Sequence, residues 1–181
     1  MNILKSCALL LTIGLVGAMT GCSSDTKSPD VARSIRTSLD QAGFKDVSVS
    51  QDRDKGVVTL TGHVPVESDK SQAESIAKSL AGAQVVANQI AVTPPGAESE
   101  AKDVDSALDK GIKGNLDAAL IKEKLNDDVK YSVKNGVITL KGEVTSQAKR
   151  VRAEKVAAGL VNVKQVVNEL EVKGQKATST K

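Results

Sequence analysis

Aromatic residues are almost missing from this 181-residue chain: one Phe, one Tyr and no Trp. Any core must therefore be built from Val, Ile, Leu and Ala. The bases of a single-stranded nucleic acid would also find no stacking platform. Histidine occurs once, at His63, and cysteine twice, at Cys7 and Cys22. A metal site needs several converging ligands, and hydrolytic chemistry needs a nucleophile, a base and an acid within reach of one another. No nucleophile–histidine–acid set and no metal cluster appears in the sequence, and His63 has no His or Cys partners, so the expectation is no catalytic residue, no metal, no cofactor and no small-molecule substrate. His63 reads as an exposed strand residue. The net charge of +3 is too slight to imply nucleic acid.

Long apolar runs are also lacking. The one at residues 8–19 follows a single Lys5 and is too short and weakly flanked for a good spanning helix, which favours an export signal over residues 1–21. It ends in Met19-Thr20-Gly21-Cys22. This resembles the bacterial lipoprotein signal, in which the cysteine becomes the acylated first residue. The resemblance implies lipid attachment at Cys22, and Ser23, not being aspartate, implies sorting to the outer membrane. The alternative is an ordinary cleaved signal and a soluble periplasmic protein. In either case Cys7 leaves with the signal, so no intrachain disulfide can form. Residues 22–29 are small and polar and read as a tether.

What the chain does contain is a repeat. Gly56-Val57-Val58-Thr59-Leu60-Thr61-Gly62-His63-Val64 returns 80 positions later as Gly136-Val137-Ile138-Thr139-Leu140-Lys141-Gly142-Glu143-Val144. The register holds without a gap through Val92 and Val172; Glu74, Ala77, Leu80, Val86 and Asn88 also recur. Each copy is read as one folding unit: residues 30–93 and 104–173, joined by a linker at 94–103 and followed by a disordered tail at 174–181. Units of this size lie near the lower limit for an independent core.

In the first copy, Asp30 can cap a helix carrying Val31, Ile35 and Leu39 at four-residue spacing. Val47, Val49 and Gln51 alternate as a half-buried strand does, residues 52–56 turn, and Val58 and Leu60 continue on a return strand. A helix over residues 69–81 has Ala73, Ile76, Ala77 and Leu80 as its buried stripe and ends at Gly82. A last strand carries Val86, Asn88, Ile90 and Val92. The strand–helix–strand step makes the last strand parallel to its partner. The predicted class is α+β: two small tandem domains, each helix–hairpin–helix–strand, with a mixed three-stranded sheet and two helices on one face.

The second copy follows the same order, with Asn135-Gly136 as a tight-hairpin signal. Its first helix, over about residues 104–125, has two possible registers: Leu108, Ile112 and Leu116, or Ile121 and Leu125. Gly111 and Gly114 are points where it could bend. One apolar stripe would lie off the domain core, which makes Leu116 and Leu120 candidates for contact with the first domain, a partner or a membrane.

The copies differ most in charge. Residues 28–93 hold 7 basic and 8 acidic residues, and residues 104–173 hold 13 and 10. Lys149, Arg150, Arg152 and Lys155 stand where the first copy has Asp69, Lys70, Gln72 and Ser75. They suit either an ordinary solvated helix face or a diffuse positive surface for phospholipid headgroups or an acidic partner. Without Trp or Phe on that helix, membrane contact there would be electrostatic and salt-sensitive.

The ordered pattern Gly-Val-(Val/Ile)-Thr-Leu-x-Gly-x-Val, an Ala-rich helix, then Val-x-Asn-x-(Ile/Leu)-x-Val resembles the BON domain (bacterial OsmY and nodulation), over both copies. The resemblance implies a non-enzymatic envelope protein, periplasmic or at the outer membrane. It also implies association with an anionic phospholipid membrane and a role in osmotic stress or envelope integrity. The alternative is a periplasmic stress chaperone or interaction module that engages an envelope protein and has no lipid preference.

Overall fold

The computed structural model describes residues 27–174. The signal segment, Cys22 and the residues beyond 174 lie outside the described residues. The elements in chain order are α1 (Ala32–Gln41), β1 (Val47–Asp52), β2 (Val57–Val64), α2 (Glu67–Ala81), β3 (Val85–Asn88), β4 (Ala91–Val92), α3 (Glu98–Lys122), β5 (Val129–Lys134), β6 (Val137–Val144), α4 (Gln147–Ala158), β7 (Gln165–Asn168) and β8 (Glu171–Val172). The class is mixed α+β, and the two halves have one plan.

In each half a hairpin supplies two antiparallel strands, and the chain crosses back to lie parallel to the second. Val49 pairs with Leu60 and Val58 with Val86; Tyr131 pairs with Leu140 and Ile138 with Val166. Asn135-Gly136 forms the two-residue turn with φ of 52° and 79°, the geometry that matches strand twist. The final strand was expected whole but divides into β3 and β4, and into β7 and β8, both segments lying along the central strand. An asparagine accounts for the break. Asn88 Oδ1 accepts from the Ile90 amide at 3.3 Å, and Asn168 Oδ1 from that of Leu170 at 3.2 Å. The same side chain then clips helix to sheet. Asn88 Nδ2 donates to Lys70 O and to Glu74 Oε2 at 2.9 Å; Asn168 Nδ2 donates to Arg150 O and to Glu154 Oε2 at 2.8 Å. Here lies the reason that Glu74 and Asn88 recur in the second copy.

Both helices of a half cover one face of its sheet. Ile35 and Leu39 of α1 and Ala73 and Ala77 of α2 meet Val58, Leu60, Val86 and Ile90. Alanines on α2 and α4 let those helices approach closely where a core without aromatic bulk has little volume to fill. The start of α1 differs from expectation: Asp30 does not cap it. Gln51 Oε1, reaching from β1, accepts from the Val31 and Ala32 amides at 3.1 and 3.3 Å, satisfying donors the first turn leaves open. The buried stripe of α2 is Ala73, Ala77 and Ala81, while Leu80 lies outside it at 37% exposure.

Helix α3 resolves the register. It runs unbroken from Glu98 to Lys122 and turns Ile112, Leu116 and Leu120 into the second core, with Leu125 beyond its end. The expectation that Leu116 and Leu120 face a partner or membrane is therefore corrected: both are buried against the second sheet. The outward residues are Val104, Leu108 and Ile121. The helix is longer than α1 because the acidic stretch from Glu98 joins it, which leaves only a short connection after β4.

The halves dock. Val57 and Ala87 on the helix-free face of the first sheet meet Val137 and Val167, their equivalents 80 positions on, with Val85 alongside. Polar contacts repeat the symmetry. Lys55 Nζ donates to Glu169 O at 3.4 Å, and Asn135 Nδ2, from the position 80 residues later, donates to Gln89 O at 2.7 Å. This is an isologous contact within one chain. It is broken at Gln165, which stands where the first copy has Val85, donates to Val86 O at 2.7 Å and accepts from the Asn88 amide at 3.1 Å. Its amide thus fills the open edge of β3. Three nearly inaccessible valines at about 1.5–3 kcal/mol each make the docking energetically comparable with the stability of a small domain.

Two glycines of the repeat are sterically required. Gly62 (φ 113°) and Gly142 (φ 123°) pass so close to the preceding strand that a Cβ would lie 2.0 Å from Asp46 O and 2.4 Å from Asp128 O. Gly142→Ala should cost about 2–3 kcal/mol or more. Gly111→Ala, inside α3 with nothing within 4 Å of the added carbon, should instead stabilise by about 0.5–1 kcal/mol. Urea unfolding followed by circular dichroism separates the two; equal effects would refute this account of the motif.

Candidate functional site

The four cations of α4 do not share a surface. Lys149 and Arg150 occupy its first turn, where Ser146 Oγ caps the helix by accepting from the Lys149 amide at 3.3 Å. Lys149 Nζ is paired with Asp128 Oδ2 at 2.8 Å, and Arg152 stands 3.9 Å from Glu123 Oε2. Both pairs are partly exposed and worth at most about 1 kcal/mol. Lys155 is exposed. Arg150 is not a surface charge, which corrects its placement among headgroup candidates. It is 3% exposed, three residues before Ala153, and it donates from Nε to Leu170 O at 2.9 Å and from Nη2 to Asn168 O at 3.2 Å. It holds the break between β7 and β8. The outward face of α4 is left with Arg152 and Lys155 beside the exposed Val151, and Val161 follows the helix at 73% exposure.

Lys70 occupies the position of Arg150 in the first copy and is equally buried, at 6% exposure. Burial pushes its ammonium below the usual lysine range, and Lys164 of the other domain adds to the effect; Glu67, Asp105 and Glu74 oppose it. Lysine reaches a single point where arginine presents a fork. Sequence reasoning missed Lys70. The available signal was its equivalence to Arg150, three residues before the buried Ala73.

His63 is exposed at the end of β2. It borders a cleft of about 580 Å³ between the first sheet and the early turns of α3, with Thr93, Lys102, Asp105, Lys113 and Lys134 among the lining residues. At its floor Asp109 accepts from the Asn135 and Gly136 amides at 2.8 and 2.9 Å, tying α3 to the hairpin turn. Glu98, at the start of α3, accepts from the Gly96 amide at 3.0 Å, and this bond holds its carboxyl below the usual range. Among the described residues, no three His, Cys, Asp or Glu side chains converge as metal ligands, and no helix is long and apolar enough to cross a membrane.

A family model described as BON domain matches residues 28–94 and 105–174. Over 143 residues the chain is 32% identical to Osmotically-inducible protein Y of Escherichia coli (strain K12), covering 75% of this chain and 67% of that protein. Two solved structures of CdsD, a structural protein of the Type III secretion system of Chlamydia trachomatis, are similar at 15% and 16% identity. Their TM-scores are 0.34 and 0.30, covering 80% and 78% of this chain and 92% and 65% of theirs.

The two buried cations should respond differently to removal. Between the lowered native value of Lys70 and the ordinary lysine value of 10.5, the unfolded chain holds a proton that the native chain lacks. Stability from this group therefore rises with pH across that window. Lys70→Met should leave the protein as stable or more stable at neutral pH, an advantage that shrinks as pH approaches 10.5. Arg150→Met orphans two carbonyls and should cost about 2–3 kcal/mol. Urea midpoints measured across pH check both; a Lys70→Met loss as large as that of Arg150→Met would contradict the assignment.

Proposed function

The chain belongs to the BON domain family, and on that premise we propose that it is a non-enzymatic envelope protein of the periplasm. In this reading Cys22 carries the lipid anchor, on the outer membrane. The docked domains contact anionic phospholipid and support envelope integrity under osmotic stress. The observation that carries the reading is the similarity to Osmotically-inducible protein Y, which extends over 143 residues and so involves both domains. The site is the outward face of α4, where Arg152 and Lys155 stand beside Val151. Cations next to modest apolar surface suit a headgroup layer, at about 1 kcal/mol per cation. With no aromatic wedge available, the contact is expected to fade as salt rises.

Co-sedimentation of residues 23–181 with vesicles tests the reading apart from the anchor. Binding should require anionic lipid, weaken with salt, and fall roughly tenfold or more in the Arg152→Glu/Lys155→Glu pair. Unchanged binding by that pair removes α4 as the site. Loss on changing Leu108 and Ile121 to Ser instead moves the site to α3. Suppression of client aggregation without vesicle binding would favour a protein-interaction role. In cells, Cys22→Ser should abolish acyl labelling and release the protein from the membrane fraction.

A further inference from the structure

A second cleft, of about 550 Å³, opens on the domain junction between α2 and the start of β7. Lys70 and Lys78 line it from α2 and Lys164 from the second domain; Glu67, Glu74, Asn88 and Gln165 complete its polar lining. The carboxylate of Glu74 is already committed, since it accepts from Asn88 Nδ2 at 2.9 Å and from Lys78 Nζ at 2.5 Å. These bonds hold it ionised against the burial that opposes this. The remaining charges are Lys70 and Lys164, facing Glu67, which is exposed. Neither lysine has an ion pair or side-chain hydrogen bond among the described residues, and Lys70 is 94% buried, being 6% exposed.

A buried ammonium without a partner is costly, and this one has a second ammonium brought towards it from another domain. The approach is built in. The stem of Lys164 lies against Gly136, its Cγ 3.0 Å from where a Cβ would stand. The next residue, Gln165, is bonded to the backbone of β3. The equivalent residue in the second copy, Arg150, spends its guanidinium on carbonyls, whereas Lys70 lines open space.

We propose that this junction cleft is a binding site for a phosphate-type oxyanion, held between Lys70 and Lys164. Two point charges on flexible stems suit a tetrahedral dianion, and the cleft has room for an organic group esterified to it. The ligand bridges the two domains, so binding and docking reinforce each other. The assignment is independent of the membrane contact on α4.

The test uses residues 23–181, which hold both cores and every docking contact described. Inorganic phosphate should raise the melting temperature saturably above sodium chloride of equal ionic strength, as a ligand of the native state does. Calorimetry should give one site. Lys70→Met and Lys164→Gln should each weaken binding roughly tenfold or more, while Lys155→Gln leaves it intact. Absence of a saturable effect, or the same effect in both site variants, overturns the proposal. Glycerol phosphate and phosphatidylglycerol vesicles then separate the sources. Loss of glycerol phosphate binding in Lys164→Gln with vesicle binding intact supports a soluble ligand. Parallel loss of both supports a lipid headgroup.

Discussion

Three valines and an alanine from the helix-free faces of two sheets decide how this chain is arranged. Val57, Ala87, Val137 and Val167 come from equivalent positions of a repeat, and they meet one another. A small α+β domain with helices on one face leaves its other sheet face open to water. Duplication offers a direct remedy, because a second copy presents the same face and the two can cover each other. The reciprocal reach of Lys55 and Asn135 to backbone carbonyls of the opposite domain follows from that arrangement. So do both clefts, which flank the contact.

Symmetry explains what the copies share, and its failure explains where they have diverged. Gln165 replaces Val85 and supplies hydrogen bonds to the edge of β3, removing an open edge that would otherwise attract strands from other chains. Long α3 replaces short α1, and its added turns carry Asp109 to the hairpin. Lysine and arginine alternate at one buried position with opposite results. Arg150 serves the backbone around it, and Lys70 keeps its charge for the space beside it. A substitution that preserves charge thus changes what the side chain reaches, because the planar guanidinium spans the two separated carbonyls of Asn168 and Leu170 while the ammonium is a single point charge on a flexible stem.

The most regular features of the fold were legible in the residues. Alternation and four-residue spacing mark the strands and helices. Asn135-Gly136 marks a turn that only left-handed backbone can make. The recurrence of Gly62 as Gly142 signals a requirement, although not its cause, which is a carbonyl immediately ahead of the paired strand, Asp46 O or Asp128 O, too close to admit a Cβ. The recurrence of Glu74 and Asn88 was visible too, without the hydrogen bond that joins them. The site was less legible. Helical spacing placed Lys149, Arg150, Arg152 and Lys155 on one helix but could not say that Arg150 turns inward. A long cation beside the core stripe can lie along the apolar surface or run out to solvent. The register of α3 was ambiguous for a related reason: two apolar stripes fit the helix, and the sheet chooses between them.

By itself, then, the sequence determined two copies of one α+β unit, the parallel return of the last strand in each, and cores built of aliphatic residues with almost no aromatic bulk. These follow from local periodicity, turn chemistry and composition, which act within a few residues of chain. Only the tertiary structure decided that Leu116 and Leu120 are core, that Arg150 is buried, that the helix-free sheet faces dock, and that Lys70 and Lys164 line one cleft at the junction. Each of these depends on surfaces distant in sequence. Their approach is set by the competition of whole faces to leave water, and no local pattern carries the outcome of that competition.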